Sequence, residues 1–573
     1  MPTLCAVPRG TAKHKKLGGE TMKPRIVVLG GGFAGMFAAK ALHRTLRDRV
    51  DIELINSTNH FVFQPLLPEV AAGSITSRDA ISPLRLLLPG IRFRQASVYD
   101  VDFDRKVITF FQGQQRRYTE IGYDQLVIAL GQVIDLSRFP GLTDHAITMK
   151  TVGDAYRLRN HVIDKLEHAD ITSMPEVKKE LLTFTVVGAG FSGVETVGEM
   201  KEMIDRSLKF YPNIDPAEVR VVVLEFADRV LAELPEPLAS YAHRFLEKRG
   251  IEIKLKTGVA RATGTHVVTS TGEVIGTRTI VATIGNAPSP IIAKFALEKQ
   301  HGRIAVDRML RARGAADVWA LGDCALIPMK EDAKDRYDFA PPTAQFAVRE
   351  ARTLAKNIAV SLEGGALTPF DYSSKGSLAS LGGKRGVAEV YGWRISGFPA
   401  WLLWRSYYLS FLPGFSTKLR VMLNWLFDAI LPRNTVQVQS EPKGGARYVH
   451  YLAGDRIWER DNRADGFYTI LEGKVEFRIP DGTGGEIVRI LGPGDHFGER
   501  VLLGTGLRTG TTKALEDTKV VVLAPEDFLR MTNAFPPLKD YFDRHIARVL
   551  AQAPEQADNE IVPAPRAVEA PAP

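Results

Sequence analysis

The stretch Ile26-Val27-Val28-Leu29-Gly30-Gly31-Gly32-Phe33-Ala34-Gly35 decides the fold of the first half of the chain. An apolar run typical of a buried strand leads into glycines at GxGxxG spacing, and the apolar run 36–42 continues as a helix. Such glycines allow a tight turn and let the backbone approach a pyrophosphate at the helix N-terminus. A second apolar strand, residues 51–55, follows about 20 residues on. The stretch predicts a dinucleotide-binding α/β domain; the alternative is a glycine turn that is purely structural.

The pattern occurs a second time, in Thr185-Val186-Val187-Gly188-Ala189-Gly190-Phe191-Ser192-Gly193-Val194-Glu195. The β-branched run 219–224 then ends at Glu225, and an acid there favours the ribose 2′-hydroxyl of NAD over the 2′-phosphate of NADP. Arg229 lies nearby in the sequence and weakens that preference. In the first half Asn56 takes the corresponding position, where its amide can still bind a ribose hydroxyl. Two such units predict two dinucleotide sites, one of them for a flavin.

Composition excludes several other classes of protein. The chain has 573 residues, of which 45% are apolar and 24% charged, and this balance is globular rather than disordered, collagen-like or disulfide-rich. Cys5 and Cys324 are far apart, which excludes a dithiol relay, a cysteine zinc site and an iron–sulfur cluster and favours a reducing compartment. The 12 histidines form no ligand pattern, so we expect no metal.

Membrane and export signals are equally limited. No apolar run reaches the roughly 18 residues that a spanning helix needs. The N-terminal residues contain lysines but no apolar signal region, and Met22 is an alternative start. The net charge of +8 is compatible with an anionic membrane surface as well as with a nucleic acid.

Three further segments specify the kind of dinucleotide protein. Residues 123–131 and 279–285 are matched strand ends, one in each half, and finish at Gly131 and Gly285. Residues 318–321 form another strand that leads to Gly322 and Asp323. Together with the glycine turns, these segments resemble the two-dinucleotide-binding-domain flavoproteins, whose Gly-Asp aspartate binds the ribityl chain of FAD. The resemblance implies an α/β fold with two Rossmann-like domains.

Two segments narrow the resemblance. They are Asn59-His60-Phe61-Val62-Phe63-Gln64-Pro65-Leu66-Leu67-Pro68-Glu69-Val70-Ala71-Ala72-Gly73 and Pro341-Pro342-Thr343-Ala344-Gln345-Phe346-Ala347-Val348-Arg349. Both resemble the type II NADH dehydrogenases, the single-subunit, non-pumping NADH:quinone oxidoreductases, over residues 25–433. The lack of redox cysteines separates the chain from disulfide reductases and sulfide:quinone reductases. The resemblance implies FAD contacts at Gly30, Gly32, Gly35, Asn56, Pro65, Gly131, Asp323 and Ala344, and NAD contacts at Gly188, Gly190, Gly193, Glu225 and Gly285.

The quinone site departs from the family pattern at one position. The pattern AQxAxQ reads AQxAxR here, with Gln345 retained and Arg349 in the last place. The resemblance implies that Gln345 is a catalytic residue and that Arg349, Lys375 and Gly376 lie around the quinone. A cation in place of an amide changes the environment in which a quinone would sit.

Two residues near helix starts carry chemical hypotheses. Prolines 341 and 342 precede a helix whose first turn we expect to contain Thr343, Ala344 and Gln345, and whose free N–H groups would stabilise the negative charge of reduced flavin. The alternative is an ordinary capped helix. Glu195 matches a family glutamate near the contact of nicotinamide and flavin, where it would position the nicotinamide or relay a proton. The alternative is an acid that the helix dipole favours.

The stretch 394–433 is amphipathic in an unusual way. Trp401, Trp404 and Trp425 lie among further aromatic and basic residues, and Arg420, Asn424 and Asp428 form a single polar stripe on a helix. This composition predicts a helix that lies in the headgroup region with aromatic and basic anchors. The alternative is a helix buried in a homodimer interface; the resemblance allows both, and we expect a homodimer. We therefore expect a peripheral protein on the cytoplasmic face of a bacterial inner membrane, with anionic lipid and a quinone as partners.

Short alternating runs separated by glycines predict an all-β domain after residue 448. Gly494-Asp495-His496-Phe497-Gly498-Glu499 and Arg508-Thr509-Gly510-Thr511 resemble the phosphate cassette of cyclic-nucleotide-binding domains, a jelly-roll fold. The resemblance implies that Gly498, Glu499, Arg508 and Thr509 bind cyclic AMP or cyclic GMP. Arg500 and Gly510 depart from the pattern, and the alternative is a module for dimerisation or docking. No helix-turn-helix follows, so we expect no nucleic acid partner.

The predicted organisation follows from these segments. It comprises a basic N-terminal extension (1–23), an FAD-binding domain in two parts (24–150 and 301–370), an NAD-binding domain (151–300), a quinone-site and membrane-associating region (371–435), a linker (436–447), a cyclic-nucleotide-binding-like domain (448–550) and a disordered tail (551–573). The leading functional interpretation is oxidation of NADH by a membrane quinone, tuned by a cyclic nucleotide. The alternatives are a flavin reductase with a soluble acceptor and a sensor of the NADH/NAD ratio.

Overall fold

The computed structural model describes residues 23–112, 117–431, 433, 435–437, 446–460, 464–480, 486–502 and 508–551. All but the last residue of the predicted N-terminal extension lies outside this part of the chain, as do most of the predicted linker and the tail beyond residue 551.

The first unit is built on a five-stranded parallel sheet. Its central strand, Arg25–Leu29, leads into the first glycine turn and is buried over its last four residues, as expected for a parallel sheet covered on both faces. Helices Phe33–Leu46 and Ala344–Leu362 pack against each other beside it. The strands in spatial order are Val318–Ala320, Gln125–Ile128, Arg25–Leu29, Asp51–Asn56 and Arg92–Gln95. The unit is thus assembled from two segments that are far apart in the chain.

The second unit repeats this design. The strand that leads into the second glycine turn, Thr183–Val187, is again the central one of five parallel strands. In spatial order they are Ala146–Thr148, Thr279–Ala282, Thr183–Val187, Arg220–Leu224 and Ile251–Lys254. Its longer helices are Val152–Ile171, Phe191–Ser207 and Glu236–Lys248. The structure therefore confirms the internal repeat predicted from the two glycine motifs.

Each unit also carries a three-stranded antiparallel sheet before the strand that returns to its parallel sheet. These strands are Ser97–Asp102, Val107–Gln112 and Arg117–Gly122 in the first unit, and Val259–Ala262, His266–Thr269 and Val274–Gly276 in the second. An antiparallel pair, Gln132–Ile134 with Asn286–Pro288, joins the two units. Shorter elements are strands His60–Val62, Ile81–Pro83, Lys299–Gln300, Arg303–Ala305 and Ala325–Leu326, and helices Leu67–Ala71, Leu84–Leu87, Leu142–His145, Pro175–Leu181 and Pro290–Lys294.

A small sheet and two helices come after helix Ala344–Leu362 in the chain, and the sheet packs against helices of the second unit. The sheet contains Gly376–Ser380, Gly386–Val390 and Trp393–Gly397. The helices Phe398–Phe411 and Phe415–Ile430, here called the helical pair, come next in the chain. No helix among the described residues is long and apolar enough to cross a membrane.

The second helix of the helical pair turns its polar stripe towards the protein. Arg420 Nε and Asn424 Nδ2 donate to Asp79 at 3.2 and 2.8 Å, and Asp428 pairs with Arg206 at 3.3 Å. The opposite face is apolar and open: Phe415, Leu419, Met422, Leu423, Leu426, Phe427 and Ile430 are 40–82% exposed. The predicted stripe is therefore present, and it serves as the anchor of the helix to the body.

Some of the expected surface anchors lie elsewhere. Trp404 and Trp425 are only 1% and 8% exposed, and Arg433 is buried. The expectation that these two tryptophans anchor the helices at a membrane interface is wrong, because their indole N–H groups bind buried carboxylates. Arg433, one of the basic residues of the stretch, binds the buried carboxylate of Glu199 in the same way. A polar stripe in the sequence predicts a helix, but it does not predict which face of the helix is turned towards the solvent.

The C-terminal domain (residues 446–551) is a sandwich of two antiparallel four-stranded sheets, as predicted. One sheet contains Ala446–Tyr451, Thr518–Leu523, Phe467–Glu472 and His496–Phe497, and the other Arg456–Trp458, Thr511–Ala514, Val475–Pro480 and Glu486–Leu491. Its helices are Glu499–Leu502, Pro525–Ala534 and Pro536–Ala551. Trp458, Tyr468 and Phe497 form the centre of its core.

Candidate active site

The two glycine turns have the same geometry. Gly30 and Gly188 adopt φ values of 103° and 100°, which a side chain would strain. A Cβ on Gly35 would lie 1.9 Å from the oxygen of Gly30, so this glycine lets the helix pack closely on the strand. In the second turn a Cβ on Gly193 would lie 1.9 Å from the oxygen of Gly188.

The middle glycine of each turn faces open space. A Cβ on Gly32 or Gly190 would meet nothing within 4 Å. This space lies at the N-termini of helices Phe33–Leu46 and Phe191–Ser207, where free N–H groups attract phosphate. The residues present therefore fit one dinucleotide pyrophosphate in each unit.

A polar side chain at the end of the second strand supports each turn. Gly31 N donates to Asn56 Oδ1 at 2.8 Å, and in the second unit Ala189 N donates to Glu225 Oε2. Ala227 N also donates to Glu225, at 2.7 Å. The two side chains accept hydrogen bonds from equivalent backbone groups. The sequence places the two residues at corresponding positions but does not reveal these contacts. Their contacts with a ribose stay predictions.

Asp323 lies in the turn Gly322–Cys324, just after the edge strand of the first sheet. Within the described residues no group donates a hydrogen bond to its half-buried carboxylate, and burial raises its pKa above the usual range. The turn is held from behind, because Gly322 N donates to Glu350 Oε2 at 2.8 Å. A ribityl chain would supply the missing hydroxyl donors, so Asp323 fits an FAD site. Gly131, at φ 63°, also borders open space.

Cys324 is inert in this setting. Its side chain is fully buried, and burial raises the pKa of its thiol to about 12. Its side chain therefore serves to fill the core.

Three of the four predicted quinone-site residues come together. Gln345 Nε2 donates to the oxygen of Gly376 at 3.5 Å, and Arg349 Nη1 donates to the oxygen of Gln345 at 3.2 Å. The guanidinium of Arg349 lies over the rings of Tyr372 and Phe411, at 5.1 and 5.8 Å from their centroids. Cation–π contact thus stabilises a charge where the family has an amide.

The remaining residues of this region take separate places. The ammonium of exposed Lys375 lies 5.8 Å from the ring of Tyr391 rather than with Gln345. The helix begins at Ala344, and Thr343 is its N-cap, accepting from Phe346 N at 3.4 Å. The expectation of Thr343 in the first turn is corrected accordingly. Pro65 lies in the turn Gln64–Leu66, before the short helix Leu67–Ala71.

Glu195 is buried beneath the helical pair. Its Oε1 accepts from Trp404 Nε1 at 2.8 Å and from Ser380 N at 3.1 Å. Burial raises the pKa of Glu195 to about 8, although both hydrogen bonds act in the opposite direction. A carboxyl that is protonated at neutral pH can donate a proton, which an exposed acid at a helix start cannot do.

Sequence reasoning missed two further buried acids. Glu69 accepts from Trp425 Nε1 at 2.6 Å and from Arg405 Nη2 at 3.2 Å, and Glu199 lies 3.4 Å from Arg433 Nη2. Burial raises the pKa of Glu69 above its usual range, and Arg405 partly opposes this. A cavity of about 590 Å³ beside them is lined by Glu199, Trp401, Leu402, Arg405, Trp425 and Arg433, among others. Glu69 lies inside a quoted family segment, which was its one available signal.

The predicted cyclic-nucleotide residues have an unexpected arrangement. Arg508 is only 1% exposed, and its Nη2 donates to Asp465 at 2.8 Å and to the oxygen of Gly466 at 3.0 Å. Its guanidinium carbon lies 3.7 Å from the ring centroid of Trp458. Glu499 is also buried, and Gly498 lies beside Arg508, whose Nη1 donates to its oxygen at 3.4 Å. Thr509 is half-buried. The arginine thus already has an internal anion.

The fold and the paired glycine turns define a pyridine-nucleotide-dependent flavoprotein with a cyclic-nucleotide-binding module. Residues 24–351 match the family of pyridine nucleotide-disulphide oxidoreductases, residues 374–434 the NDH2 C-terminal domain and residues 448–535 the cyclic nucleotide-binding domain. The family implies FAD and NADH as its cofactor and substrate.

Relatives make the assignment more specific. The chain is 33% identical over 418 residues to the type II NADH:quinone oxidoreductase Ndh of Mycobacterium tuberculosis, covering 70% of this chain and 87% of the relative. It is 31% identical over 413 residues to the demethylphylloquinone reductase NdbB of Synechocystis, covering 70% and 96%. NDH2 from Plasmodium falciparum superposes with a TM-score of 0.66 at 21% identity, covering 72% and 100%, and this likeness concerns the fold. The chain belongs to the type II NADH:quinone oxidoreductase family.

Proposed function

We propose that this protein oxidises NADH and reduces a membrane quinone by two electrons through a bound FAD, without pumping protons. The observation that carries the proposal is the pairing of two open glycine turns, one per unit, with the Gln345–Gly376 cluster at the start of helix Ala344–Leu362. This arrangement provides a donor side and an acceptor side around one FAD site.

A bound FAD would supply the capacity to accept a hydride and to release two electrons. The chain's own residues would orient NADH, FAD and the quinone, and would supply a proton to the quinone. The turn at Gly190 would hold the pyrophosphate of NADH, Asp323 would hold the ribityl chain of FAD, and the N-terminus of helix Ala344–Leu362 would favour negative charge on the flavin. Gln345 would donate a hydrogen bond to the quinone. Glu195, protonated at neutral pH, would supply a proton on the same side as the helical pair.

The open apolar face of the helical pair supports attachment to a membrane. A contiguous patch of exposed apolar side chains of this kind typically marks a surface that binds lipid or another protein. We favour lipid, with the protein peripheral on the cytoplasmic face, because a quinone enters from the bilayer. Homodimerisation through the same face is the competing arrangement.

We further propose that a cyclic nucleotide regulates the enzyme through the C-terminal domain, with Arg508 as its phosphate ligand. A specific observation favours a second role for this domain. Arg508 is buried and already paired with Asp465, so its charge is compensated within the domain without a nucleotide, as in a module that serves only for docking. In the regulatory case the cyclic phosphate must replace Asp465 as the partner of Arg508.

Steady-state NADH oxidation by the purified, FAD-loaded protein tests the proposal. The assay uses a short-chain quinone with and without cyclic AMP, cyclic GMP as a second effector and NADPH as a substrate control. We expect quinone-dependent turnover with NADH that shifts with a cyclic nucleotide. Turnover that ignores both nucleotides would retain the dehydrogenase and assign the C-terminal domain to docking. Tight NAD binding without turnover would replace the enzyme by a sensor.

A further inference from the structure

The C-terminal domain contacts the second unit through a small charged surface. Arg261 forms an ion pair with Asp517, and Thr265 Oγ1 donates to Asp455 Oδ2 at 3.5 Å. His266 Nδ1 also lies 3.8 Å from Asp455. We call these five residues the docking surface. Three belong to the 259–269 hairpin of the second unit, and two belong to turns of the C-terminal domain.

We propose that docking of the C-terminal domain on the 259–269 hairpin strengthens NADH binding to the second unit and leaves the quinone end unchanged. The partner of this surface is the chain's own C-terminal domain, and the regulated quantity is the affinity for the dinucleotide. The inference rests on the proposed function only in taking NADH as the ligand of the second unit.

The hairpin is connected to the NAD-side turn by direct backbone contacts. Ala262 N donates to the oxygen of Pro140 at 2.9 Å. The segment just before Pro140 contacts the predicted NAD site, because Asp135 N donates to the oxygen of Gly285 at 2.7 Å. The backbones are tightly fitted here, since a Cβ on Gly141 would lie 1.9 Å from the oxygen of Ala262.

A shared apolar core provides a second connection. Val259 and Ala262 of the hairpin pack in one cluster with Leu224 and Ala282. Leu224 immediately precedes Glu225, and the strand that ends at Ala282 leads to Gly285. A shift of the hairpin would therefore displace two predicted NAD contacts. The Gln345–Gly376 cluster lies outside this core, where helix Ala344–Leu362 of the first unit meets strand Gly376–Ser380 of the small sheet.

The phosphate cassette connects to a second contact between the C-terminal domain and the second unit. Asp465, the partner of Arg508, also lies 3.9 Å from Arg447 Nη2. Arg447 is part of strand Ala446–Tyr451, which packs against helix Leu142–His145 of the second unit. A ligand that draws Arg508 away leaves Asp465 to Arg447 and Tyr468, and this would alter strand Ala446–Tyr451 where it packs against helix Leu142–His145, a helix that also contacts strand Val259–Ala262 of the hairpin.

Charge reversal tests the coupling in the full-length, FAD-loaded protein. Arg261→Glu and Asp517→Arg each place like charges together, and the double variant restores an opposite pair. We expect each single variant to weaken NAD⁺ binding in equilibrium titration, and to raise the KM for NADH, by about fivefold or more. The KM for a short-chain quinone should not change, and the double variant should recover most of the loss. Arg49→Glu, which breaks the exposed Arg49–Glu363 pair of the first unit, is the matched control.

Several outcomes would overturn the inference. Single variants that match the control, a double variant that fails to recover, or an equal change in the quinone KM would each do so. Normal NADH:quinone turnover with unresponsive NAD⁺ binding rejects the inference and keeps the proposed function. NAD⁺ binding that responds to the charge reversals in a protein without quinone turnover keeps the inference and rejects the proposed function.

Discussion

The indole nitrogen of Trp404 donates a hydrogen bond of 2.8 Å to Oε1 of Glu195, and both side chains are buried. Trp425 makes the equivalent bond to Glu69 at 2.6 Å, from the other member of the helical pair. Each helix is thereby fastened to an acid of the dinucleotide-binding body. The segment with the open apolar face and the buried acids of the site are consequently one structural assembly.

Substitution of Glu195 by glutamine should separate its chemistry from its packing. Glutamine keeps an acceptor for Trp404 but has no proton to lose, so we expect quinone turnover to fall by about 100-fold. NADH affinity and FAD content should stay the same. Trp404→Phe, which removes the hydrogen bond and keeps the carboxyl, is the control and should have a smaller effect. Unchanged turnover in the glutamine variant would remove Glu195 from the mechanism.

The pH profile gives an independent measurement of the same residue. The pKa of Glu195 is raised to about 8, so the proton is present at neutral pH and is lost as the pH rises through that value. If Glu195 donates the proton, turnover should decline on the alkaline side with this pKa. The decline should be absent from the residual activity of the glutamine variant. An identical alkaline decline in both proteins would assign it to another group.

The two glycine turns should respond separately to a single added methyl group. Because nothing in the protein lies within 4 Å of either Cβ position, Gly32→Ala and Gly190→Ala should fold normally. We expect Gly32→Ala to lose FAD, measured by the flavin absorbance per protein. Gly190→Ala should keep FAD and raise the KM for NADH by about tenfold, equivalent to ~1.4 kcal/mol. Each variant is the control of the other, and an exchange of the two effects would contradict the assignment.

The local part of the site was accessible from sequence, and the long-range part was not. Gly30, Gly188 and Asp323 are predictable because a strand and the turn after it carry their own signal within about ten residues. The pairs Trp404–Glu195 and Arg508–Asp465 join residues 209 and 43 positions apart, and no local pattern specifies such partners. The buried tryptophans illustrate this limit, because tryptophan is common both in protein cores and at lipid surfaces and its presence alone does not tell the two apart.

Replacement of Glu350 by glutamine should stabilise the protein at neutral and higher pH. Burial raises the pKa of Glu350 to about 8, while the unfolded value is 4.5. Between these values the unfolded chain loses a proton that the folded chain keeps, so stability falls as the pH rises. Glutamine removes this cost and still accepts from Gly322 N.

Calorimetry at about pH 5 and about pH 8 measures this difference. The Tm of Glu350→Gln should exceed that of the original protein by more at the higher pH. Glu363→Gln, an exposed acid that caps the same helix, is the control and should show no such trend. A constant or shrinking difference would show that Glu350 is ionised in the folded protein.

The open face of the helical pair can be tested by charge. Leu426→Glu with Ile430→Glu places two acids on side chains that are 56% and 73% exposed, and should abolish flotation with anionic vesicles. Turnover with a short-chain quinone should remain. Leu86→Glu, at a leucine that is 79% exposed in the first unit, is the control and should float normally. If the double variant floats but changes from dimer to monomer in light scattering, the face is a subunit interface.

The cassette of the C-terminal domain makes an opposite prediction for its two charges. Asp465→Asn removes the anion that holds Arg508, so the affinity for cyclic AMP should rise by about tenfold, a typical value for one hydrogen bond to a charged group. Arg508→Ala should abolish binding. Glu472→Gln changes an exposed acid of the same domain that pairs with Lys519, outside both the cassette and the docking surface, and serves as the control. Isothermal titration that detects no cyclic AMP or cyclic GMP binding to any of these proteins would favour the docking role.

The matched contacts Gly31–Asn56 and Ala189–Glu225 have a historical consequence. Four strands have the same order in both sheets and the same hydrogen bond lies behind the first glycine, so the two units are most simply explained as copies of one ancestral unit, one of which now interrupts the other in the chain. After the duplication the two copies came to differ at this position, with an amide in one and an acid in the other. The exchange Asn56→Glu with Glu225→Asn would therefore reverse a divergence between paralogous halves inside a single polypeptide.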